Sequence, residues 1–131
     1  RMTHYDEDKK RYVQVKYMIW NDFVDKLKQM SFDSERDNYF NDYSKSEVLY
    51  IDDFLKGKFT DADLNYAFRL INYRYNNDVV TIISSELLIS ELRQIDEAIA
   101  GRMKQKATNR FMVQIGRNEE RNYRFKDEVV L

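Results

Sequence analysis

The stretch Glu47-Val48-Leu49-Tyr50-Ile51-Asp52-Asp53-Phe54 decides the fold, because four consecutive apolar residues end in two adjacent carboxylates. A short apolar run between polar segments is typical of a strand buried on both faces of a parallel sheet. Such sheets bind their ligands beyond the carboxyl ends of the strands. Two acids at that position indicate a divalent metal site, but acids are also common in ordinary solvated turns. The octapeptide alone leaves both interpretations open.

The rest of the chain alternates between strand and helix periods. Apolar residues alternate with polar ones over 12–19, which predicts a strand with one solvated face. Helical spacing of apolar residues predicts an amphipathic helix over 21–29. Thr60, with Asp63 three residues on, predicts a helix that begins with a capping box. Further strands are predicted over 79–83 and 111–115, and further helices over 60–77, 90–94 and 96–106.

Two polar segments carry weaker patterns. Residues 1–11 predict a loop or a frayed helix end, and residues 31–46 contain aromatic residues that suggest one or two helical turns. Strands that alternate with helices nevertheless indicate an α/β domain with a parallel sheet. A chain of 131 residues is long enough for one such domain.

Composition excludes several classes of protein. Hydrophobic residues make up 43% of the chain, which supports a packed core despite 34% charged residues. The absence of cysteine excludes a disulfide scaffold and a cysteine nucleophile, and suits a cytoplasmic location. No apolar run approaches the roughly 18 residues of a membrane helix, so no membrane partner is expected.

Charge is distributed unevenly along the chain. Residues 102–126 contain eight basic and two acidic residues, whereas residues 32–54 contain seven acidic and two basic ones. Opposite charges on one domain suit self-association, or a nucleotide site shared between subunits. Two ordinary solvated surfaces would give the same counts.

The order of four segments resembles the AAA+ ATPase domain of bacterial and phage replicative helicase loaders (DnaC/DnaI type). These segments are 48–53, 60–77, Thr81-Ile82-Ile83-Ser84-Ser85 and Asp96-Glu97-Ala98-Ile99-Ala100-Gly101-Arg102. The resemblance implies a three-layer αβα P-loop NTPase core with a parallel sheet, N-terminally incomplete, so that residues 1–131 form a single partial domain. It also implies ATP or ADP and Mg²⁺ as cofactors.

The resemblance assigns roles to five residues. Asp52 would hold Mg²⁺, usually through water, and Asp53 would polarise the attacking water. Arg102 matches the arginine finger, which acts on the neighbouring subunit's nucleotide. Arg124 matches the second sensor over the bound nucleotide, and Ser85 the sensor that detects the γ-phosphate. A solvated helix position for Arg102 and a place in the basic tail for Arg124 are the alternatives.

The sensor position departs from the family. The family usually has Asn after Thr-Ser, whereas this chain has Ser84-Ser85-Glu86. A carboxylate facing phosphate would be repelled, which favours Ser85 over Glu86.

The sequence has no Gly-x-x-x-x-Gly-Lys-Ser/Thr motif, which a P-loop needs because its backbone N–H groups cradle the phosphates. Gly57-Lys58 is followed by Phe59 where a hydroxyl is required. We therefore expect the P-loop strand and helix upstream of Arg1, and expect the chain alone to bind ATP poorly, hydrolyse none and associate. The missing strand would lie between 79–83 and 111–115, so its absence predicts a split sheet.

The resemblance implies an ATP-dependent loader of a hexameric replicative helicase, with single-stranded DNA as co-ligand. Residues 73–75 and 121–125 combine basic and aromatic side chains that suit single-strand binding. Two alternatives remain open: a transposition helper ATPase of the same AAA+ branch, and a truncated AAA+ interaction module that hydrolyses nothing.

Overall fold

Strands and helices alternate along the chain, so the protein has an α/β fold. The computed structural model describes residues 2–8, 11–106 and 111–115. The strands are β1 Met2–Asp6, β2 Arg11–Ile19, β3 Val48–Asp52, β4 Val80–Ser85 and β5 Phe111–Ile115. The helices are α1 Trp20–Gln29, α2 Asp33–Ser44, α3 Asp61–Asn76, α4 Ile89–Ile95 and α5 Glu97–Lys106.

The five strands form one sheet in the order β1-β2-β3-β4-β5. Strands β2 to β5 run parallel, and β1 pairs antiparallel with β2. The predicted loop or helix end over 1–11 is therefore wrong, since β1 covers the edge of β2. The Tyr5 and Tyr12 rings pair across these strands, with centroids 5.1 Å apart.

The split sheet expected from the missing P-loop strand is also wrong. Strand β5 pairs directly with β4, from Thr81 opposite Phe111 to Ser85 opposite Ile115. Direct pairing satisfies the backbone groups that a gap would leave unpaired.

The two faces of the sheet differ in burial. On one face Leu49, Ile51 and Ile83 are fully buried in a cluster that also contains the buried apolar residues of all five helices. On the other face Tyr50 and Ile82 are only half-buried, and neither belongs to the cluster. Strand β3 is thus buried on one face rather than on both, and among residues 11–106 and 111–115 we find no second helical layer of the predicted three-layer core.

Helix α2 is a twelve-residue helix where only one or two turns were predicted. Asp33 and Glu35 lie in its first turn, where carboxylates stabilise the positive end of the helix dipole. Its aromatic residues pack on Phe23 of α1: the Tyr39 ring stacks on it at 5.4 Å and the Tyr43 ring meets it edge-on at 5.1 Å. Packing against α1 therefore stabilises a helix that the polar sequence predicts only weakly.

No helix in the described parts of the chain is long and apolar enough to span a membrane.

Candidate functional site

Asp52 is the last residue of β3, at the carboxyl end of the parallel strands. Side chains alternate between faces along a strand, so Asp52 lies on the half-buried face with Tyr50. It stands opposite Ile19 of β2. The sheet thus presents this carboxylate at the edge where parallel sheets bind their ligands.

Ser84 of the neighbouring strand β4 fixes one oxygen of this carboxylate. Its hydroxyl donates to Asp52 Oδ1 at 2.5 Å and accepts the Asp53 backbone N–H at 3.2 Å. The Phe54 N–H donates to the Ser84 carbonyl at 2.9 Å. Ser84 therefore attaches the end of β3 to β4 by three bonds and orients Asp52.

Tyr17 of β2 holds the other oxygen, since its hydroxyl donates to Asp52 Oδ2. Tyr17 pairs with Tyr50, two residues before Asp52, so the contact is a diagonal one. Its ring lies 5.4 Å from the Tyr50 ring. We call Tyr17, Asp52 and Ser84 the carboxylate site.

Hydrogen bonding favours the ionised form of the carboxylate. Donation from Ser84 and from Tyr17 lowers the pKa of Asp52 below its usual value and outweighs the opposing effect of burial; the Asp53 N–H and the Lys56 charge assist. The same bond raises the pKa of the Tyr17 hydroxyl to about 12, with smaller effects from burial and from the Asp52 charge. At neutral pH the site therefore contains a carboxylate and a neutral phenol.

Asp53 follows in a tight loop. Its backbone is left-handed (φ 54°), a conformation that Asp tolerates better than most residues, and its carboxylate lies 3.8 Å from the Lys56 ammonium. The next two residues, Phe54 and Leu55, are both buried, and the Phe54 ring meets Trp20 edge-on at 5.0 Å. Leu55 is also left-handed (φ 55°), which costs about 1–2 kcal/mol. The core thus holds the loop in place and leaves the Asp53 side chain half-exposed.

The structure brings Ser84, not Ser85, to the carboxylate site. Ser85 is 5% exposed, and its hydroxyl donates to the Phe54 carbonyl at 3.0 Å and accepts the Leu87 N–H at 3.1 Å. Glu86 is exposed. No signal in the sequence alone selects Ser84; it shares a face with Asp52 because Tyr50 pairs with Ile82, a register that the structure supplies.

Arg102 lies on α5 and contacts α3 rather than the carboxylate site. Its guanidinium carbon lies 5.5 Å from the ring centroids of both Phe68 and Tyr75, and its Nη1 donates to the Ala98 carbonyl at 3.3 Å. Its Nε is buried without a hydrogen-bond partner. A cavity of about 340 Å³ adjoins it, lined also by Glu97. Arg124, the other predicted arginine, lies outside the described residues.

The structure excludes one of the predicted DNA contacts, Arg74. Arg74 is fully buried and cannot reach a nucleic acid, whereas Tyr73 and Tyr75 are half-buried. Residues 121–125 lie outside the described part of the chain.

The side chains at the carboxylate site fit only a divalent cation that has few protein ligands. In residues 2–8, 11–106 and 111–115 no group of three or more His, Asp or Glu side chains could hold a metal. Magnesium is usually bound through one or two carboxylates together with waters and phosphate oxygens, and Asp52 supplies one such carboxylate. The loop that would cradle the phosphates is not in the sequence.

No protein-family model matches the chain. It is similar to the uncharacterized protein YqaM of Bacillus subtilis (strain 168), with 36% identity over 88 residues, 63% of this chain and 28% of YqaM. It is also similar to the phage-like element PBSX protein XkdC of the same strain, with 34% identity over 91 residues, 66% of this chain and 34% of XkdC. The matched region thus spans about a third of these relatives or less.

Proposed function

We propose that this chain carries the carboxylate side of a Mg²⁺–nucleotide site in an AAA+ ATPase with a P-loop NTPase core. In the full-length protein this ATPase would load a hexameric replicative helicase onto single-stranded DNA. One observation carries the proposal. Asp52 stands at the carboxyl end of a central parallel strand, and its carboxylate is held by a hydroxyl of the next strand.

The position and the lone pairs of Asp52 support a cation-binding role. Each carboxylate oxygen has two lone-pair sites, and one on each is used by Ser84 or Tyr17. In the proposed site the remaining lone pairs would bind a hydrated cation. A bound Mg²⁺ would neutralise negative charge on phosphate oxygens.

Asp53 suits the role of a base toward water. Its carboxylate is half-exposed, and the buried loop behind it limits its movement. Its backbone N–H is held by Ser84, so the side chain is directed from a fixed backbone. A positioned base contributes about 10²–10⁴-fold to a rate.

The two relatives support the proposal in one respect and limit it in another. One relative's name assigns that relative to a phage-like element. This is compatible with the resemblance to phage helicase loaders. Because the chain matches about a third of each relative or less, the activity is proposed for the full length that the gene encodes.

The test uses that full-length protein, with ATP hydrolysis and nucleotide affinity measured as functions of Mg²⁺ concentration, with and without single-stranded DNA. We expect Asp53→Asn to lower kcat at least 100-fold with nucleotide binding retained. Asp52→Asn should weaken the Mg²⁺ dependence of binding. The control is Asp25→Asn on α1, which is exposed and should behave as the wild type.

A second assay addresses the helicase. Helicase bound to single-stranded circular DNA is counted with ATP, with ADP and without nucleotide, and loading should require ATP. Hydrolysis without loading would favour the transposition helper. Absence of both from the full-length protein would refute the proposal, as would turnover by residues 1–131 alone at the full-length rate.

A further inference from the structure

Tyr17 is placed for more than packing. It is 40% exposed and lies outside the core cluster, yet its hydroxyl is bound to the carboxylate of Asp52, beside Ser84 on the half-buried face of the sheet. Its ring is supported by Tyr50 on the adjacent strand. The hydroxyl is therefore held by a neighbouring strand and a neighbouring ring.

The diagonal position explains why a tyrosine is needed. Residues offset by two across neighbouring strands lie about 7–8 Å apart, a distance that long or aromatic side chains can bridge. A serine or threonine at position 17 would be too short. A phenylalanine would fill the same space without a donor.

We propose that Tyr17 is a positioning residue for Asp52, and this inference rests on the nucleotide site proposed above. Tyr17 and Ser84 donate from the strands on either side of β3, one to each carboxylate oxygen. Two donors on opposite sides prevent rotation of the carboxylate. The lone pairs left over then face a cation in one fixed orientation.

The proposal predicts an effect on the cation that a purely structural role would not produce. Loss of a group that orients a metal ligand typically weakens metal binding about 10–100-fold. Tyr17→Phe should therefore raise the Mg²⁺ concentration at half-maximal nucleotide binding about 10-fold. Because Tyr17 is partly exposed and outside the core, the urea unfolding midpoint of the Tyr17→Phe protein should stay near that of the wild type.

The experiment uses the full-length protein and a fluorescent ADP, whose anisotropy is measured against Mg²⁺ concentration. Tyr12→Phe is the matched control, since Tyr12 lies on the same strand, is 70% exposed and contacts Tyr5 instead. A second readout is the ¹³C resonance of the Tyr17 Cζ, which should shift when Mg²⁺ and ADP are added. Ser84→Ala should give a similar loss, and the double variant less than the product of the two losses, because both residues hold one carboxylate.

The outcomes separate the two proposals. If the wild type binds nucleotide with Mg²⁺ dependence but Tyr17→Phe matches Tyr12→Phe, the positioning role of Tyr17 is refuted and the nucleotide site stands. An equal loss of folding stability and Mg²⁺ affinity would also refute it. If the wild type shows no Mg²⁺-dependent binding, both proposals fail.

Discussion

Removal of the Arg74 guanidinium should destabilise the domain, because this fully buried group joins the end of α2 and the residues just before β3 to the start of β4. Its Nε donates to Thr81 Oγ1 at 2.9 Å and its Nη2 to the Val80 carbonyl at 2.5 Å. Its Nη1 donates to the Ser44 carbonyl at 3.0 Å and also to the Ser46 carbonyl. Burial lowers the pKa of Arg74 to about 10, which still leaves it charged at neutral pH.

The expected cost of Arg74→Met follows from these acceptors. The bonds to Thr81 and Ser44 are fully buried, and each acceptor left without a donor costs about 1–3 kcal/mol. The bonds to Val80 and Ser46 are partly buried, so water can replace them at little cost. Relief of the buried charge offsets part of the loss. We expect a net loss of about 2–4 kcal/mol, out of the roughly 5–15 kcal/mol that stabilise a typical domain.

Urea unfolding followed by Trp20 fluorescence measures this loss, since Trp20 is the only tryptophan and is buried. The control is Arg69→Met on the same helix, where the guanidinium is exposed and lies 4.5 Å from the Phe40 ring centroid. Such a contact contributes about 0.5–1 kcal/mol. If Arg74→Met costs no more than Arg69→Met, the guanidinium network gives no net stabilisation and the reasoning is wrong.

Three further variants test the N-terminal cap of α3, the loss of stability at low pH and the loop after β3. Thr60→Ala should cost about 1 kcal/mol in urea, because the Thr60 hydroxyl accepts the Asp63 N–H at 3.2 Å, and Thr60→Ser should restore most of it. Burial opposes ionisation of Asp63, but Lys28 and the Thr60 N–H outweigh it and lower its pKa. The Asp63 contribution is therefore complete above about pH 5 and is lost as the pH falls through the lowered pKa, so Asp63→Asn should flatten the dependence of the urea midpoint on pH in this range. Phe54→Ala should cost about 3–5 kcal/mol in urea by opening a cavity beside Trp20, and a loss below 1 kcal/mol would contradict the packing.

Local sequence patterns predicted most of the helices and strands, but not all of their pairing and burial. The capping box at Thr60 is confirmed, as are strands within a residue or two of β2 and β4. These signals depend on residues that are close in sequence, so one sequence is enough to detect them. Strand β1, most of α2 and the β4–β5 pairing depend on contacts between distant segments. The same limit explains why β3 was predicted to be buried on both faces, since an apolar run does not tell how many layers cover it.

The carboxylate site could be predicted by residue type but not by partner. Asp52 was identified from its place after the apolar run, whereas Tyr17 and Ser84 become its partners only through strand register. A slip of β4 by one residue would turn Ser84 to the opposite face and bring Ile83 or Ser85 beside the carboxylate. The Arg74 bonds to the Ser46 carbonyl just before β3, and to Val80 and Thr81 at the start of β4, act against such a slip, at the end of the sheet opposite to the site. The Arg74 bonds at one end of the sheet and the carboxylate site at the other are thus linked through the register of the strands. Arg74→Met should therefore weaken Mg²⁺-dependent nucleotide binding even in conditions where the variant stays folded.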